Sequence, residues 1–152
     1  MSVQRDNPYG AFNFRVTADR FGDAGTIRAG FQEITGLGME VTIAEYRNGN
    51  ELENHVRKMN GMYKVPDVTF KRGLIGSLDF FGWIKDTRDG AQNVFATVKI
   101  ELLDEAHTGT VMTWILSNAR PMKYTAPSLN AKAGTDVAIE ELVLSCENIV
   151  VE

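Results

Sequence analysis

Alternation at a period of two runs through most of this chain. It confines the fold to strands that are dry on one face and wet on the other. Phe12, Phe14, Val16 and Ala18 share one parity, with Asn13, Arg15, Thr17 and Asp19 on the other. Met39, Val41 and Ile43 alternate with Glu40 and Thr42, and Val68 and Phe70 with Thr69 and Lys71. Val94, Ala96, Val98, Ile100 and Leu102 form the longest run, followed by Met112, Trp114 and Leu116. In the last stretch Val137 and Ile139 hold one parity and Leu142, Leu144 and Cys146 the other, which predicts a bulge or bend near Glu140 and Glu141.

One segment has a helical period: Leu74, Leu78 and Phe81 fall at i, i+4 and i+7, which predicts a helix near residues 74–86. So many strands with a single helix predict a mainly β domain, an antiparallel β-barrel or sandwich with one short α-helix. A parallel sheet would need several helical crossovers. At 152 residues one domain is expected, spanning 1–152. Residues 48–63 fit no minimal barrel. They are polar, carry Glu51, Glu53, Arg57 and Lys58, and are read as a long extended loop between two strands.

Composition excludes several classes of function. The net charge of -4 has the wrong sign for a protein whose main task is gripping phosphate backbones. The single cysteine, Cys146, rules out an internal disulfide and a multi-cysteine zinc site, and reads as a small buried apolar residue. The only bases for a thiol nucleophile, His55 and His107, lie in polar surroundings. The N-terminus has no apolar core for a signal peptide, and no run approaches the roughly 18 apolar residues of a membrane span, so cytoplasmic synthesis without membrane insertion is expected.

The chemical motifs are weak. Gly73 to Ser77 follows Lys71-Arg72 but lacks P-loop spacing, and Asp86 to Gly90 lacks the closing Glu of a calcium loop. The adjacent pairs Asp104-Glu105 and Glu140-Glu141 point to opposite faces on a strand, which does not suit two-carboxylate catalysis. His107-Thr108-Gly109 reads as a hairpin turn. No enzyme activity and no cofactor or metal is expected. Arg47, Arg57, Lys58, Lys71 and Arg72 form a loose basic cluster, either a solvated strand end or a set of charges that meet acidic groups on a neighbouring copy.

An ordered set of short motifs resembles the tube protein family of contractile phage tails and contractile injection systems. Asn7-Pro8-Tyr9 with Phe12-Asn13-Phe14 resembles that family's N-terminus. Gly30-Phe31-Gln32-Glu33 and Gly36-Leu37 resemble its second strand, and Glu45-Tyr46-Arg47 with Gly49-Asn50, Arg57-Lys58 and Gly61 its third strand and long loop. Lys71-Arg72-Gly73, Leu78 and Trp83-Ile84 resemble its strand-to-helix junction. Trp114, Asn118-Ala119, Pro121, Lys123-Tyr124, Asn130-Ala131 and Val137 to Glu140 resemble its C-terminal third.

The resemblance implies a structural protein forming hexameric rings stacked into an inner tube, through which DNA or effector protein passes. Implied partners are further copies of the chain and the sheath, baseplate and tail-terminator proteins. The implied location is a virion tail or injection particle, after synthesis in a bacterial cytoplasm. The 48–63 loop would order on assembly and contact the adjacent ring. Candidate inter-subunit residues are Arg47, Asn50, Glu51, Glu53, Arg57, Lys58, Lys71 and Arg72. Lumen-facing candidates are Asn13, Arg15 and Thr17. The alternative is a free-standing β-barrel binding module that grips its ligand with the 48–63 loop.

Overall fold

A computed structural model of the chain describes residues 2–19, 30–76, 78–132 and 134–152. Among these the elements run β1 (Phe14–Ala18), β2 (Phe31–Thr35), β3 (Glu40–Tyr46), β4 (Arg57–Lys64), β5 (Val68–Gly73), α1 (Asp79–Arg88), β6 (Ala96–Leu103), β7 (Thr110–Thr125), β8 (Ile139–Ser145) and β9 (Asn148–Val151). The main sheet has the order β1-β6-β7-β8-β5-β2, with β9 paired to β7, and all its pairs are antiparallel. It does not close: β1 and β2 remain edges, so the architecture is an open sandwich rather than a barrel. β3 and β4 form a separate hairpin.

The sandwich is made by one long strand that serves both halves. β7 pairs with β6 and β9 through its first part and with β8 from Arg120 onward. Between them Asn118 sits at φ 51°, the left-handed region that Asn tolerates better than most residues. The returning chain turns at the same place, where β8 gives way to β9. There the Glu147 N–H donates to Ser117 O (3.1 Å), and its carboxylate accepts from Asn118 Nδ2 (2.9 Å).

The bend thus lies at Asn118 and Glu147, and the expected bulge at Glu140–Glu141 is absent: β5 and β8 pair without a shift from Val68↔Leu144 to Gly73↔Ile139. The apparent phase change has a chemical cause. Glu140 shares the core parity of Leu142 and Leu144 and is itself 1% exposed. Its partner is Arg72, fully buried on the core parity of β5. Arg72 Nε donates to Glu140 Oε1 at 2.5 Å, and the guanidinium lies 3.8 Å from the centroid of the Phe80 ring of α1. Tyr124 of β7 donates its hydroxyl to Glu140 Oε2 at 3.0 Å. Burial and this bond hold the Tyr124 phenol above its ordinary value. One ionic cluster therefore ties β5, β7, β8 and α1 together.

The helix starts later than periodicity predicts and ends two residues further on, at Arg88. It buries Phe80 and Trp83, while Leu74, Leu78 and Phe81 are exposed. Trp83 Nε1 donates to Val94 O at 2.7 Å, and Phe80 stacks on Phe31 of β2 at 5.7 Å. Phe12 also departs from expectation: it is 71% exposed, because pairing with β6 begins only at Phe14. The remaining core follows the alternation, with Val16, Ala18, Val68, Phe70, Val98, Leu116, Leu142 and Leu144 buried.

Removing one partner of a buried ion pair leaves the other charge unpaired, at a cost of about 3–5 kcal/mol. Arg72→Ala is expected to lose stability on that scale in urea denaturation. Arg72→Met with Glu140→Leu should recover most of the loss, because no charge is then stranded.

Candidate functional site

No group of metal-ligating side chains occurs among the described residues. Three surfaces stand out.

The first is the β3–β4 hairpin. Every residue of both strands is exposed, and neither strand joins the main sheet. Residues 57–63, assigned to the 48–63 loop from sequence, thus belong to strand β4, and the true loop is 47–56. At roughly 3.3 Å per residue the seven residues of β3 make an arm about 23 Å long.

Two glycines shape this arm. Gly61 lies at the register shift opposite Val41–Ile43, where a Cβ would come within 2.8 Å of Thr42 O. Gly36, at φ +93°, lets the root of the arm pass over Asp67, whose carbonyl oxygen a Cβ would meet at 2.2 Å.

The loop is held from within. Arg47 donates to Glu51 O (3.1 Å), Glu53 O (3.0 Å) and Asn54 Oδ1 (3.3 Å). Arg57 pairs with Glu51 at 3.1 Å. These contacts link the two sides of the loop. Arg47, Asn50, Glu51, Glu53, Arg57 and Lys58 are all on this arm, and Asn50 and Lys58 are exposed. Lys71 is elsewhere, on the outer face of β5, with Nζ 3.7 Å from Glu33. Arg72 is withdrawn from any surface by its burial against Glu140.

The second surface comprises the edge strands β1 and β2. Asn13, Arg15 and Thr17 point away from the core, as the alternation requires, and Arg15 pairs with Glu101 of β6. Beside them, Phe14, Ile34, Leu37, Ile100, Leu102 and Trp114 line a cleft of about 250 Å³ between the two edges.

The third surface is the N-terminal strap, which sequence reasoning missed. Val3 N–H donates to Val111 O at 3.0 Å. Arg5 binds Glu105 at 2.5 Å and lies 3.8 Å over the Tyr9 ring. No local signal marks a contact between residues a hundred positions apart.

A family model described as the T4-like virus tail tube protein gp19 matches residues 10–150. The chain belongs to the T4-like tail tube protein family. Solved structures agree. A chain of the PVC sheath–tube complex of an extracellular contractile injection system, in the extended state, is 28% identical with TM-score 0.78, over 95% of this chain and 91% of that one. A chain of the PVC sheath/tube terminator is 26% identical with TM-score 0.79, over 97% and 98%. A chain of the anti-feeding prophage baseplate, 21% identical with TM-score 0.83 over 97% of each, shares the fold. No curated protein matches the sequence. As a tail tube protein the chain works through the surfaces that meet other chains.

The Glu105 carboxyl is held down at about 2, first by its hydrogen bond from Arg5. A depressed carboxyl pKa gives a contribution that is complete above the unfolded value, near 4.5, and is lost as pH falls through about 2. The strap should therefore stay closed at pH 5. Glu105→Gln is expected to raise the exchange rate of the Val3 amide at neutral pH toward that of a free terminus, measured by NMR. An unchanged rate would assign the strap's closure to its backbone contacts.

Proposed function

We propose that this tail tube protein assembles head-to-tail into hexameric rings, and that these stack into the inner tube of a contractile phage tail or injection particle. DNA or effector protein then passes through the lumen. It acts mechanically and catalyses no reaction. It is made in a bacterial cytoplasm and works in the particle, meeting sheath, baseplate and tail-terminator proteins. No helix among the described residues is long and apolar enough to cross a membrane. Solved structures similar to this chain come from a sheath–tube complex and a sheath/tube terminator.

The single observation that carries this reading is the β3–β4 arm. Val41, Ile43, Tyr46, Met59, Met62 and Tyr63 are 46–85% exposed on it. Solvated apolar surface of this extent marks an interaction site. A ring also removes the liability of the open edges β1 and β2, because strands of neighbouring copies can pair there. Head-to-tail contacts close into a ring at the right rotation, and rings stacked the same way give an open filament. In this assembly Asn13, Arg15 and Thr17 face the lumen, where a polar wall lets cargo slide. Arg47, Asn50, Glu51, Glu53, Arg57 and Lys58 meet the adjacent ring. Exposed ion pairs contribute about 0–1 kcal/mol each, so the arm's charges set register while its apolar residues supply affinity.

Replacing residues 41–63 by a short Gly-containing turn tests this reading. The sandwich should stay folded by circular dichroism, and electron microscopy should show no long tubes. Normal tubes would refute the stacking role.

A further inference from the structure

Resting on the stacked-ring reading, we propose that the β3–β4 arm of each copy docks on an apolar crown at the α1 end of a copy in the next ring. The crown is formed by Leu74, Ile75, Leu78 and Phe81, which are 45%, 58%, 73% and 42% exposed. They lie within eight residues, around the junction of β5 and α1. Val137, 76% exposed, borders them, since Leu74 N–H donates to the adjacent Ala138 O at 2.9 Å. Leu74, Leu78 and Phe81 of the crown fit a helical period, yet only Phe80 and Trp83 of α1 are spent on the core. Leu74, Leu78 and Phe81, which sequence periodicity assigns to packing, are thus left over for a partner.

The occupant follows from the topology. β2 and β5 are antiparallel, with Phe31 opposite Arg72 at one end and Thr35 opposite Thr69 at the other. The crown follows Gly73, at the first end. The arm springs from Thr35 and returns through Val65 to Val68, at the second. Arm and crown therefore sit at opposite ends of the same strand pair. In a head-to-tail stack the arm end of one copy faces the crown end of the next, and two different patches meeting this way is what a heterologous interface requires. The arm does not dock on its own chain, because all its strand residues are exposed. Its length of about 23 Å exceeds the roughly 20 Å height of six-residue β5, enough to overlap a neighbour's end. Leu52, 99% exposed in the loop at its tip, presents an apolar side chain between Glu51 and Glu53.

The test uses the full chain with Cys146→Ala, Leu52→Cys and Leu78→Cys. Assembled material is treated with a flexible bismaleimide and run on a denaturing gel. A ladder of covalent multimers is expected from the double-cysteine chain and not from either single. A companion variant, Ile75→Glu with Leu78→Glu, spares Phe80 and Trp83 and should give folded rings that fail to stack. Tubes that form from the double-cysteine chain without a ladder, or normal tubes from the glutamate variant, would overturn the crown as receptor and leave the stacked-ring reading intact. An unmodified chain that never stacks would overturn both.

Discussion

The pair of Arg72 and Glu140 organises this molecule. Two opposite charges, each about 0–2% exposed at the side chain, sit where alternation would place a Leu or Val. Burying them is costly unless each is bonded and paired, and the surrounding elements supply contacts to both. β8 supplies the carboxylate, β7 supplies the Tyr124 hydroxyl, and α1 lays Phe80 against the guanidinium. Because these groups come from four elements, the contacts form together only when β5, β7, β8 and α1 are docked. The cluster thus selects one arrangement of the helix over the end of the sandwich.

That arrangement gives the molecule two unlike ends. At one, α1 spends Phe80 and Trp83 on the core and leaves its flanking apolar residues outside. At the other, the chain leaves the sheet for the β3–β4 arm, whose root passes Gly36 over the Asp67 backbone. Between the ends, β1 and β2 leave the sheet open. Edges, arm and unlike ends are liabilities for a chain that acts alone. In the proposed tube they become the contacts between copies.

Much of this was legible in the sequence, and the exceptions have physical causes. Strand parity placed Val16, Ala18, Val98 and Leu116 in the core as expected, but Met39, Val41 and Ile43 alternate and stay exposed, because β3 leaves the main sheet. Glu140 misled because a charged residue on core parity reads as a phase slip. The same burial took Arg72 out of the basic cluster, since no local pattern announces a partner 68 positions away. β4 carries no strand signal because its apolar residues Met59, Met62 and Tyr63 do not alternate and Gly61 interrupts them. The strap of Arg5 on Glu105 and the corner at Asn118 depend on tertiary contacts and gave no periodic signal.

The central claim is that surfaces left bare in one chain become buried between chains. Amide hydrogen exchange on isolated and assembled protein tests it most directly. The account predicts strong new protection in β3, β4 and the edge strands β1 and β2 on assembly, with β5 and β8 protected in both states. Unchanged exchange across the arm and both edges in assembled material would contradict it.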